Sequence, residues 1–334
     1  MRRFNLSWFG FLLISILACG GGGASPVEPL TGPYLGQQPP GLEPVLFASG
    51  VVTTGAQELS IAFSPNGEEV FFFATGPAYN PRFILHSRLE GGVWTTPREA
   101  PFTDPGRTDS YPFVSPEGST VFFCSGRQIP GANRSSHHHE IWVVEKAGLG
   151  WGEPQKIDFG GDLGGVGTFP SVAANGNLYF NGSHDSPSSD IYVSRYENGR
   201  YATPENLGPA VNSDAGDFHP FISPDESYIL FDSIREEDSF GGNDLFFSIR
   251  LEDGSWSPAR NLGSAVNTPF GDMRPFVTAD RAYLFFASSR PAQDPLPPEG
   301  QTYDEISHRL QQPGNGLQDI YWVSAEVLKT AGIE

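Results

Sequence analysis

Five similar segments of this chain, once aligned, bring chemically capable side chains into register. They are Glu58-Leu-Ser-Ile-Ala-Phe-Ser64, Asp109-Ser-Tyr-Pro-Phe-Val-Ser115, Gly167-Thr-Phe-Pro-Ser-Val-Ala173, Asp217-Phe-His-Pro-Phe-Ile-Ser223 and Asp272-Met-Arg-Pro-Phe-Val-Thr278. The first column reads Glu58, Asp109, Gly167, Asp217 and Asp272. Two residues on stand Ser60, Tyr111, Phe169, His219 and Arg274, which a regular strand points to the same side. Carboxylates gathered at one mouth would suit a hard cation such as Ca2+ or the hydroxyls of a sugar, with His219 and Arg274 as partner groups. The same carboxylates could instead cap the turns leading into their strands by accepting from backbone N–H groups. The expected ligand-binding residues are Glu58, Asp109, Tyr111, Asp217, His219, Asp272 and Arg274. No catalytic residue or metal ligand is assigned, and Ca2+ is the one cofactor considered.

Other groups carry less. His137-His138-His139-Glu140 places alternate imidazoles on one face of an extended segment, as chelation requires, but no further ligand spacing completes a site and a solvated loop is expected. Glu140, Asp190, Asp244 and Asp319 open the third strand of their repeats and read as turn caps. Cys124 follows Val121-Phe122-Phe123 and reads as a small buried hydrophobe rather than a nucleophile. His184-Asp185, and Tyr303-Asp304-Glu305 with His308, could supply acid–base pairs from loops. A pair of carboxylates at glycosidase spacing would make a hydrolase or lyase, the alternative to a binding role. The Gly-x-Ser-x-Gly, His-Glu-x-x-His, phosphate-loop and EF-hand signatures do not occur.

The elements that must position these residues follow from the repeat. The aligned segments end 50 to 58 residues apart, and each leads into a turn such as Pro65-Asn66-Gly67. An apolar run follows at 70–74, 121–125, 178–181, 229–232 and 283–287, then a third strand after a variable loop. A fourth strand is expected to open at Trp94, Trp151, Tyr201 and Trp256. Four strands per repeat of this length is the period of a β-propeller blade. Pro112, Pro170, Pro220 and Pro275 belong on an edge strand, hence on the innermost strand facing the channel. The fifth repeat lacks a fourth strand, which Pro44-Val45-Leu46-Phe47-Ala48 can supply. The fold expected is all-β: a five-bladed propeller over 44–334 closed by its N-terminal strand, with six blades as the alternative. The longest loops, 126–140, 234–244 and 288–318, all fall on one face, so binding is expected there.

Ser223-Pro224-Asp225, Asp244-Leu245-Phe246, Asp319-Ile320-Tyr321, and the paired Asn206-Leu-Gly-Pro-Ala-Val-Asn212 and Asn261-Leu-Gly-Ser-Ala-Val-Asn267 resemble the WD-like propeller repeats of the TolB type. Such repeats occur in bacterial envelope proteins, and the resemblance covers the chain after residue 43. It implies fold more than function, since these motifs mostly encode turns and packing.

The N-terminus reads as an address. Met1-Arg2-Arg3, a short apolar stretch and Leu17-Ala18-Cys19 resemble a lipoprotein signal over 1–18, with Cys19 lipidated. Residues 19–43, rich in Gly and Pro, read as a flexible tether. With 39 Asp and Glu against 20 Lys and Arg, and a formal charge of −19, a phosphate backbone is excluded as partner. The expectation is a lipid-anchored bacterial envelope protein without a transmembrane helix. It is expected to bind an envelope protein or glycan, without catalysis.

Overall fold

The computed structural model describes residues 29–76, 79, 81–104, 106, 108–127, 139–148, 150–160, 167–183, 188–292 and 302–333. Five antiparallel sheets follow one another along the chain. The innermost strands are Gln57–Phe63, Ser110–Val114, Thr168–Val172, Asp217–Ile222 and Asp272–Val277. Each pairs on one side only, with the second strand of its own blade. That single ladder is what admits proline at 112, 170, 220 and 275. The second strands, Glu69–Thr75, Thr120–Ser125, Leu178–Gly182, Tyr228–Ser233 and Tyr283–Ser288, are buried along almost their whole length. Their runs of Phe, Val, Ile and Leu fit a position sandwiched between neighbouring blades.

The ring closes as expected. Val45 and Leu46 pair antiparallel with Trp322 and Tyr321 in the third strand of the last blade. Phe47 then enters the core with no exposed surface, its ring 5.0 Å from that of Phe285 and 5.1 Å from that of Trp322. Pairing the two chain ends in one sheet leaves no open ring edge.

Two expectations need correcting. The outer strands do not open at the aromatic residues. Trp94, Trp151 and Tyr201 sit in small hairpins at the end of the third strand, and Trp256 forms a lone bridge with Arg250. The strands that complete blades one to four lie just past the following proline: Arg98–Glu99, Gln155–Lys156, Glu205–Asn206 and Arg260–Asn261. They are too short to carry an alternating pattern. The expected tether is also docked over its described part. Leu35 is wholly buried, Trp94 donates its ring N–H to the Gly32 carbonyl, and Tyr34 packs edge-on against Phe63 and Tyr283. The signal segment and Cys19 lie outside the described residues.

Short helices cover 303–309, within the third long loop, and 326–331, in the tail. Among the described residues no helix is long and apolar enough to cross a membrane.

Replacing Phe47 with Ala should lower stability by about 3–5 kcal/mol in thermal or denaturant unfolding. A loss below about 1 kcal/mol would mean that the closing strand is not part of the cooperative unit.

Candidate functional site

The two columns part company at a bulge. Every innermost strand shows a register shift, between the first and third aligned residues in blade one and between the second and fifth in the others. In blades two to five the residue before the proline has a left-handed backbone: φ is 55° at Tyr111, 58° at Phe169, 52° at His219 and 59° at Arg274. A non-glycine residue there is strained by about 1–2 kcal/mol. The bulge changes which way alternate side chains point. It sends Ser60, Tyr111, Phe169, His219 and Arg274 into the channel and leaves the carboxylates behind.

Glu58, Asp109, Asp217 and Asp272 are 1%, 2%, 0% and 0% exposed and do not line the channel cavity. Each holds the turn that leads into its strand. Glu58 accepts from the Thr54 N–H and hydroxyl, Asp109 from the Asp104 N–H, Asp217 from the Ser213 N–H and Asp272 from the Thr268 N–H. Three also bind an arginine from the loop after the second strand: Asp109 with Arg127 at 2.8 Å, Asp272 with Arg290 at 2.6 Å, and Asp217 with Arg235. These guanidiniums also lie over aromatic rings, Arg235 over Phe246 at 4.8 Å and Arg290 over Tyr321 at 5.1 Å. Sequence reasoning missed these arginines, although Ser125-Gly-Arg127, Ser233-Ile-Arg235 and Ser288-Ser-Arg290 repeat in register. Arg274 pairs with neither Asp217 nor Asp272, which are held by Arg235 and Arg290.

The channel column forms one connected group. Tyr111 and Phe169 rings meet at 3.8 Å, and Phe169 meets the His219 ring edge-on at 3.8 Å. His219 Nδ1 lies 2.6 Å from Asp232 Oδ1, so the ring hydrogen sits on Nδ1. Asp232, fully buried in the second strand, also accepts from the Asn243 side chain and from the backbone N–H of Arg274. That last bond repeats around the ring: the Phe169 N–H meets Cys124 Sγ and the His219 N–H meets Asn181 Oδ1. Cys124, Asn181 and Asp232 thus hold the next blade's bulge. Burial pushes the Cys124 thiol up to about 12, consistent with a structural residue. Arg274 lies over Tyr111 and Phe169 and donates from Nη1 to Gln318 at 2.6 Å. The cavity is about 40 Å3, floored by prolines and Phe113. It suits a few waters or one small group, not a sugar ring.

The remaining candidates are dispersed. His139 is half-buried with Nε2 3.0 Å from Arg82, rather than solvated, and burial followed by Arg82 lowers it to about 4. His137, His138, His184 and Asp185 lie outside the described residues. Glu305 caps its own helix through Thr302. Asp244 and Asp319 accept from the N–H groups of Phe240 and Gly314, while Asp190 accepts from Asn206. The paired motifs bind the third strand: Asn212 bonds both backbone groups of Ile191, and Asn267 both of Leu245. Among the described residues no three His, Cys, Asp or Glu side chains converge to hold a metal.

No family model matches the chain, and no curated protein matches it. Solved structures do. A protein described as TolB from Agrobacterium tumefaciens is 16% identical, over 80% of this chain and 90% of that one, with a TM-score of 0.48. A GH43 endo-arabinanase from Bacillus licheniformis is 14% identical, over 82% and 94%, at 0.46. The GH43 BlXynB protein from the same organism is 13% identical, over 83% and 56%, at 0.48.

Two titrations act in opposite senses. Burial, against the Thr54 bonds and helped by Asp319, raises Glu58 to about 7. Its native form keeps a proton that the unfolded chain loses near 4.5, so its contribution makes stability fall as pH rises from 4.5 to 7. Burial lowers His219 to about 4 despite Asp232. The unfolded chain binds that proton first, so this contribution makes stability rise with pH between 4 and 6.5. Glu58→Gln should therefore stabilise at pH 8 by on the order of 1–3 kcal/mol and much less at pH 4.5. A variant less stable than wild type at pH 8 would contradict this.

Arg235→Met should cost about 3–5 kcal/mol because it strands the Asp217 charge in the interior. The double variant Arg235→Met with Asp217→Asn should recover much of that loss. Equal losses would show that the pair's charge is immaterial.

Proposed function

We propose that this propeller is a non-catalytic scaffold that docks a partner protein on its loop-rich face, around the channel mouth. The distribution of exposed apolar side chains carries the reading. Tyr79, Ile234, Phe240, Phe270, Tyr303, Ile306, Leu310 and Leu317 are all exposed and all belong to the loops of that face. Tyr303 is 81% exposed and Leu310 59%. Apolar side chains presented this way on a chain of charge −19 mark a contact surface rather than a solubilising one. A protein matches them better than a glycan, whose hydroxyls would seek polar partners.

The carboxylates also weigh against cleavage at the mouth. Those expected there are buried in turns and three are neutralised by arginine. A lipoprotein-type signal over 1–18, with Cys19 as the lipidated residue, would complete the reading: an anchored envelope protein that presents this face to a periplasmic or outer-membrane partner.

Photo-crosslinkers placed in cells at Tyr303 and Phe240 should each trap the same discrete protein. Placed at Leu251 and Tyr196, on the turns of the opposite face, they should not. Crosslinks confined to the opposite face, or turnover of arabinan by the purified protein, would overturn the proposal.

A further inference from the structure

Among the described residues the Arg274 guanidinium has no counter-ion, in a chain that has 39 acidic residues. The three loop arginines, 127, 235 and 290, each hold an aspartate. The Arg274 guanidinium holds none among the described residues, and Asp232 is committed to His219, Asn243 and the Arg274 backbone. Its donors are used unevenly. Nη1 reaches Gln318, while Nε is buried without any partner and Nη2 donates to no described protein atom. Nε–H and Nη2–H form the edge of a guanidinium that grips a carboxylate with two parallel bonds.

The surroundings agree. Ser60 Oγ, in the same cavity, is likewise buried without a partner. Arg82 donates only to His139 and the Tyr79 carbonyl, so it too lacks a carboxylate among the described residues, and its charge is felt at Tyr111 beside that of Arg274. Leaving a guanidinium N–H and a hydroxyl buried and unpaired is costly. Holding Arg274 in a left-handed backbone adds to that cost. The packed rings of Tyr111 and Phe169 wall the cavity on one side.

We propose that the channel mouth is a carboxylate-binding site, with Arg274 as its anchor, Ser60 as a second donor and the Tyr111–Phe169 pair as its wall. The carboxylate comes from an acidic amino-acid side chain or from an acidic sugar. In either case only the carboxylate enters the cavity, while the rest of the group, a sugar ring included, stays outside it. This rests on the reading above only for the face it uses, since the site can be tested without the partner.

The test titrates the full protein with N-acetylaspartate amide and with D-galacturonate, against N-acetylasparagine amide and D-galactose, by calorimetry and by the 1H–15N signals of arginine Nε–H groups. The site predicts that at least one carboxylate binds at least tenfold more tightly than its neutral counterpart and shifts the Arg274 Nε–H signal. Which one does so identifies the source. Arg274→Lys, which keeps the charge and loses the two-bond edge, should weaken binding at least tenfold, as should Arg274→Met. Equal binding of acids and neutral counterparts, no binding by either acid, or unchanged binding by Arg274→Lys would each overturn the proposal. The Lys variant keeps the test open should Met impair folding.

Discussion

A left-handed residue before a proline, repeated at Tyr111, Phe169, His219 and Arg274, is the constraint on which the channel depends. Proline removes a backbone donor and disfavours the helical region for the residue before it. That preference is for extended backbone, so the left-handed conformation in blades two to five runs against it, costs energy at each of the four, and persists because something holds it. At three of the four positions the holder is a side chain of the preceding blade, Cys124, Asn181 or Asp232, accepting the strained residue's N–H. One device thus does two things. It ties neighbouring blades together near the axis, where the innermost strands have no ladder partner. It also turns a single side chain per blade into the channel.

The electrostatics divide along the same line. Acidic groups outside the channel are used for construction, fixing turns and receiving arginines that lie on aromatic rings. Inside it the balance differs: a neutral His219 oriented by Asp232, Arg274 with no ion-pair partner for its guanidinium among the described residues, and aromatic walls. A protein with large negative charge therefore keeps one unpaired guanidinium at the centre of its loop-rich face. Long-range charge disfavours acidic partners, so any carboxylate must be recognised at contact range, where a desolvated arginine counts for most.

How far the sequence carried is explained by which features are local. Turn, apolar run and proline recur at fixed offsets, so blade number, the closing strand and the edge position of the prolines could be read directly. The two columns were legible as columns. Their directions were not, because the two-residue alternation that puts Glu58 with Ser60, or Asp272 with Arg274, fails across a bulge. The outer strands were displaced because Trp94 and Trp151 advertise a hairpin while a two-residue strand leaves no pattern. Asp232 escaped notice as part of the site because it belongs to another strand. Its signal was a charge inside the apolar run Ile229-Leu230-Phe231, aligned with Asn181 and Cys124. The docking of Leu35 and Tyr34 was hidden by the glycines and prolines around them, which read as a linker when no partner surface is known.

The central claim is that the channel side chains are held against backbone strain. It is tested most directly by comparing Arg274→Gly with Arg274→Ala in urea unfolding. Both remove the side chain, but only glycine relieves a φ of 59°. In an ordinary strand glycine is less stable than alanine by about 0.5–1 kcal/mol. Here the glycine variant should be the more stable by about 1 kcal/mol, with Phe169 giving the same order. Alanine variants as stable as, or more stable than, the glycine variants at both positions would contradict the account.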